Sequence, residues 1–197
     1  MLHRVTVYLW ASHDLQLTYK KRHWYGPDGF RYEHYEPGYF PDCAVGIAKG
    51  YHSQSGLAVM MGGAALLGAF KSTRQPIVAD STGYGETVTM SDASRDGVEM
   101  LQFLQGLGLP TSYIVINEDN AAALVVGVKG LGPQSLHWNI KVSSINEQVR
   151  ACKLRLRKIH TGLQVGDIFT KILNELTFTR HRDFLFGSGP RVYQEAK

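Results

Sequence analysis

Apolar positions recur along this chain with distinct periods, and each period implies a different element. Val5, Val7, Tyr8, Leu9 and Trp10 form an apolar patch suited to a short helix, after which Leu15, Leu17 and Tyr19 alternate as a strand would. Lys20 to Pro37 is polar and carries the turn chemistry Tyr25-Gly26-Pro27-Asp28-Gly29, which predicts a surface loop or a loose hairpin. Leu57 to Met61 and Ala64 to Phe70 are apolar runs divided by Gly62-Gly63. Two glycines supply the positive φ angles of a two-residue turn, so an antiparallel hairpin is expected there.

Beyond Asp80-Ser81-Thr82, whose side-chain oxygens suit N-capping, Met90, Ala93, Gly97, Leu101 and Leu104 recur at three- and four-residue steps. They predict one face of a helix ending near Gly106 to Gly108. Tyr113 to Ile116 reads as a strand buried on both faces, and Asp119-Asn120 opens a second helix over Ala121 to Val128. Ile140 to Val149 is weakly helical, Lys153 to Ile159 alternates basic and apolar residues, and Asp167 to Leu173 and Leu176 to Leu185 read as closing helical segments. Strands interleaved with helices in this order indicate a mixed sheet covered by helices.

Composition narrows the picture. A chain of 197 residues suits one domain with a short extension, and 44% hydrophobic residues are enough for a core, which excludes wholesale disorder. The weakly polar run Gly56 to Phe70 is too short and glycine-rich to span a bilayer, and Met1 to Trp10 lacks a signal-peptide cleavage pattern. The expectation is an intracellular protein, in cytoplasm or nucleus, with no membrane partner; isolated Cys43 and Cys152 fit a reducing compartment. Charge is uneven: residues 1–79 carry 8 basic and 5 acidic groups, 80–140 carry 2 and 7, and 141–197 carry 11 and 5. An acidic centre between basic flanks suits cation binding at one place and a polyanion at another.

No P-loop, G-x-S-x-G, H-E-x-x-H or dinucleotide fingerprint is present. Isolated carboxylates remain: Asp42, Glu86, Asp119 and Asp167, all near predicted element ends. Convergence of these groups would demand hard cations such as Mg²⁺ between them. Each also has an ordinary explanation: Asp80 and Asp119 as helix N-caps, Glu86 as a solvated helix residue, Asp167 as an offset to a helix dipole.

Taken together, several short segments resemble the ribonuclease H region of copia-type retrotransposon polyproteins. His3-Arg4-Val5 to Leu9 with Asp14-Leu15-Gln16-Leu17 is similar to the R-V-x-x-Y-L…D-L-x-L tail of the reverse transcriptase connection segment. Ser53-Gln54-Ser55-Gly56 before Gly62-Gly63 resembles S-T-S-G-Y…G-G, Asp80 to Glu86 stands where the family has L-S-S-T-E-A-E, and Asn117-Glu118-Asp119-Asn120 where it has Y-C-D-N. His137 to Ile140 looks like K-H-I-D-I, and Gly166-Asp167-Ile168-Phe169-Thr170-Lys171 like A-D-I-L-T-K. The resemblance implies an α/β fold, an RNase H-like mixed five-stranded sheet flanked by helices. Residues 1–35 would be a remnant of the connection segment, 36–172 the RNase H-like domain, and 173–197 a C-terminal helix and tail. It further implies cleavage of the RNA strand of an RNA:DNA hybrid by two Mg²⁺ ions (or Mn²⁺), with Asp42, Glu86, Asp119 and Asp167 as ligands. The reverse transcriptase portion of the same polyprotein would be its partner.

The first carboxylate departs from the pattern. Aligned without gaps from Gly38, the family's G-Y-S-D-A-D-W-A-G puts Pro41 on the catalytic aspartate and Asp42 one residue late. One residue reverses the face in a strand, so Asp42 is expected to face away unless a bulge at Pro41 re-aims it. Tyr84 also replaces the first glutamate of E-A-E, and Asn139 an aspartate. The competing readings are therefore a catalytically silent RNase H-like module or decayed retroelement fragment, and an unrelated α/β binding domain. Finally, Lys153, Arg155 and Arg157 fall on one face of their predicted strand, about 7 Å apart, a spacing suited to successive phosphates of a nucleic-acid strand or to a merely solvated face.

Overall fold

Gly62 and Gly63 turn the chain with φ of 64° and 84°, joining β4 (Gln54–Met61) to β5 (Ala64–Arg74) in the hairpin that the apolar runs predict. This computed structural model describes residues 2–20, 22–46, 51–76, 78–79, 81–129 and 136–188. The hairpin continues a sheet with β3 (Gly38–Ala44), β6 (Ile114–Glu118) and β7 (Leu154–Lys158), in the order β5-β4-β3-β6-β7. β3 and β4, and β4 and β5, pair antiparallel; β3 with β6 and β6 with β7 pair parallel. Parallel pairing needs crossover connections, and helices supply them: α2 (Thr82–Gly106) between β5 and β6, then α3 (Ala121–Lys129) and α4 (Leu136–Arg150) between β6 and β7.

Alternation along β3 separates two cores. Tyr39 faces the helices and packs with Leu57, Met90, Leu101, Ile114 and Ile145. Phe40 faces the opposite side, with Trp24, Tyr32, Met60, Ile159 and Phe184. Every residue of β6 is buried, as a strand covered on both faces requires. Each large apolar side chain so buried contributes about 1.5–3 kcal/mol relative to exposure.

The second core is roofed by segments that look polar in sequence. β1 (His23–Tyr25) and β2 (Arg31–Glu33) form the loose hairpin, and it is more than surface: Trp24 and Tyr32 stack with centroids 3.9 Å apart, both nearly inaccessible. α5 (Glu175–Leu185) and a 3-10 turn, Val165–Phe169, complete this layer. The turn stands where a helix over Asp167 to Leu173 was expected.

α1 (Leu2–Ala11) matches its predicted helix, with Tyr8 edge-on to Phe178 of α5. Leu15 to Tyr19 does not form the expected strand. The Thr18 and Lys20 amides instead donate to the Phe186 and Gly62 carbonyls, at 2.8 and 2.6 Å, anchoring the stretch outside any ladder. Ser81, not a residue further along, caps α2 by accepting from the Tyr84 amide, and Asp80 lies outside the described residues. Residues 189–197 of the predicted tail also lie outside them. Among the described residues no helix is long and apolar enough to cross a membrane. Cys43 (buried) and Cys152 (exposed) are both free thiols.

Candidate metal centre

Asp42 is where the structure corrects the sequence most directly. β3 pairs with β4 in unbroken register from Gly38 opposite Met60 to Ala44 opposite Gln54, so there is no bulge at Pro41. Asp42 nevertheless reaches the carboxylate cluster, and by strand alternation Pro41 takes the other face. Proline is tolerated in this central strand for a local reason. The ladder from β3 to β6 stops at Tyr39, opposite Ile116. The Pro41 carbonyl points to the β6 side and accepts from the Gln164 side-chain amide at 2.8 Å. The proline nitrogen shares that side, where no ladder bond is lost.

Glu86 comes from the second turn of α2. That helix approaches β3 closely because Gly85 has no side chain; a Cβ there would lie 2.7 Å from the Cys43 sulfur. Asp119 follows the end of β6, while the neighbouring Asn120, rather than Asp119, caps α3 by accepting from the amides of Ala122 and Ala123. The capping explanation for Asp119 thereby falls away. Asp42, Glu86 and Asp119 each offer an oxygen, and these oxygens lie within 4.8 Å of one another. Asp42 is 1% exposed and Glu86 4%.

Asp167 enters from the 3-10 turn, which Gln164 fixes to the sheet by donating also to the Asn117 carbonyl at 3.2 Å. The Lys171 ammonium lies 2.8 Å from Asp167 Oδ1 and 3.2 Å from Asp42 Oδ1, bridging the two. The Thr170 hydroxyl donates to the other Asp42 oxygen. Four expected residues thus fall into two linked groups: the triad Asp42, Glu86 and Asp119, and the pair Asp42 and Asp167 joined through Lys171.

A further carboxylate, Glu118, belongs to this neighbourhood and is fully buried. One of its oxygens accepts from the Asn120 amide at 2.9 Å, and the other has no hydrogen-bond partner. Glu118 and Lys171 lie inside the segments that carry the resemblance, but neither is among the candidate site residues. The four-residue step from Asp167 to Lys171 was the available signal for the second; for Glu118 an acidic doublet ending a buried strand was the only one.

Crowding governs the electrostatics. Burial, then the charges of Glu118, Asp42 and Asp119, push the Glu86 carboxyl up to about 10, against a smaller opposing effect of Lys171. Burial also holds Glu118 well above the ordinary carboxylate range. Asp167 is raised to about 6 by burial and by the Asp42 charge, although Lys171 opposes this. Lys171 is itself raised by its two carboxylate partners, which outweigh its desolvation.

These donors fit a hard divalent cation. Oxygen is the preferred ligand of Mg²⁺ and Mn²⁺, and Glu86 presents a buried oxygen with no hydrogen-bond partner. Leaving such an oxygen unpaired costs about 1–3 kcal/mol or more, which a bound cation would offset.

The cationic strand is more divided than its alternation implies. Lys153 precedes β7 and is exposed, and Arg155 is exposed with its guanidinium 3.5 Å from the Tyr113 ring centre. Arg157 is half-buried: it pairs with Asp28, donates to Asn117 Oδ1 at 3.0 Å, and lies over the Phe30 ring.

No protein-family model matches the chain, and no curated protein matches it in sequence. Solved structures do resemble it. LC11-RNase H1, isolated from compost by a metagenomic approach, superposes with a TM-score of 0.52 over 68% of this chain and 92% of its own, at 12% identity. The N-terminal RNase H domain of rv2228c from Mycobacterium tuberculosis gives 0.49 over 76% and 97%, at 10% identity. The foamy viral protease-reverse transcriptase in complex with dsDNA gives 0.45 over 69% and 92%, at 13% identity. The mixed five-stranded sheet with its flanking helices is an α/β fold of the RNase H-like kind.

Proposed function

We propose that this chain is a copia-type retroelement ribonuclease H that hydrolyses the RNA strand of RNA:DNA hybrids, with Asp42, Glu86, Asp119 and Asp167 holding Mg²⁺ or Mn²⁺. The observation that carries the reading is the triad itself: three carboxylates from β3, α2 and the end of β6, separated widely in sequence, bring oxygens within 4.8 Å of one another. Like charges this close are unfavourable without a cation between them. When bound, such ions would activate water and offset charge growing on the phosphate. Asp42 would be a ligand that the Thr170 hydroxyl orients, and Gln164 would hold the Asp167 turn against the sheet. Lys153 and Arg155 would meet phosphates at the sheet edge. The collinear motifs support the retroelement origin, and with it a role inside the cell beside the reverse transcriptase portion of the same polyprotein.

The test is cleavage of a labelled hybrid by the purified protein with Mg²⁺. The expected result is cutting of the RNA strand alone, abolished by chelation and by Asp119→Asn. Undiminished cutting in that variant would reject the mechanism. A parent protein that binds hybrid without cutting it would favour the silent RNase H-like module instead.

A further inference from the structure

We propose that Lys171 is a built-in monovalent cation of this centre: its ammonium takes the position between Asp42 and Asp167, so that the protein without nucleic acid holds a single divalent ion, at Asp42, Glu86 and Asp119. The inference deepens the metal-centre reading above and rests on it.

Three observations lead here. Lys171 Nζ is within 3.2 Å of one oxygen from each of Asp42 and Asp167, so a divalent ion bridging that pair would compete directly with it. Its placement is set by the backbone as well as by charge, since the Lys171 amide donates to the Asp167 carbonyl at 3.0 Å and the Thr170 amide to the same oxygen at 3.1 Å. Glu86, a member of the triad and not of the lysine-bridged pair, has a buried oxygen without a hydrogen-bond partner. One half of the centre already has a cation and the other half has unmet acceptor capacity.

The Lys171 side chain is 38% exposed, which leaves it room to swing outward when a phosphate supplies further negative charge.

The experiment counts Mn²⁺ bound to the full chain by electron paramagnetic resonance at neutral pH without nucleic acid, in the parent, Lys171→Met, Lys171→Gln and Lys171→Arg. Expected are one ion in the parent and in Lys171→Arg, and two in Lys171→Met and Lys171→Gln. Two ions in the parent overturn the inference whatever the variants do, and one ion in a folded Lys171→Met does so as well. Hybrid cleavage separates the two levels: a parent that cuts but binds two ions keeps the nuclease reading and loses this one. A parent that binds none loses both.

Discussion

Gly166 lies directly against Asp42: a Cβ on the glycine would come 3.0 Å from the Asp42 Cβ and 2.5 Å from the Phe40 carbonyl oxygen. The turn that delivers Asp167 can therefore rest on β3 only because position 166 has no side chain. Gly166→Ala must push that turn outward, and overpacking of this kind costs about 1–3 kcal/mol. Urea unfolding should show the loss, and Mn²⁺ affinity should fall with it. An alanine variant as stable as the parent would show that the turn has slack.

Asp42 and Pro41 predict opposite outcomes. Asp42→Asn should lower hybrid cleavage by about two orders of magnitude, since the side chain common to both carboxylate groups is lost. Pro41→Asp should not restore it, because position 41 faces away from the cluster and would bury a new carboxylate. Rescue of Asp42→Asn by Pro41→Asp, measured as initial cleavage rate, would contradict the register of β3.

Stability should fall as pH rises when no divalent ion is present. Glu86 is raised to about 10 from an ordinary 4.5, so between those values the folded state retains a proton that the unfolded state has released. The slope of unfolding free energy against pH is then negative across that window. Asp167, raised to about 6 from 3.8, adds to the fall between those two values. Glu86→Gln should flatten the slope above pH 6 and stabilise the cation-free protein at pH 8 by about 1–3 kcal/mol. Thermal melts across pH with and without Mg²⁺ check this; stability rising with pH in the chelated parent would rule it out.

The two arginines of β7 should separate. Arg155→Glu should weaken hybrid binding and reduce its salt slope by about one. Arg157→Glu should act on the fold instead, because it removes the partner of Asp28 and sets a carboxylate beside it and the Asn117 oxygen. Fluorescence anisotropy at several salt concentrations, read beside melting temperatures, distinguishes them. An equal loss of affinity in both, with unchanged stability, would mean that Arg157 also faces phosphate.

Local periodicity determined much of this protein. The Gly62-Gly63 hairpin, the long helix carrying Met90 to Leu104, the doubly buried strand at Ile114 and the basic alternation at Lys153 to Ile159 are all properties of neighbours in sequence, set by side-chain period and turn chemistry. The carboxylates, too, were legible as candidates by their motifs. Phase and partnership were not. Whether Asp42 or Pro41 faces the cluster depends on how β3 registers with β4 and where its ladder to β6 stops, which no stretch of β3 encodes by itself. Lys171 meets Asp42 across 129 positions, and Arg157 meets Asp28 across another 129, so the charges that occupy these groups are visible only once the chain has closed. Trp24 and Tyr32 became core for the same reason: their hairpin is polar in composition, but the open face of the sheet gave its aromatic side chains an apolar surface to cover.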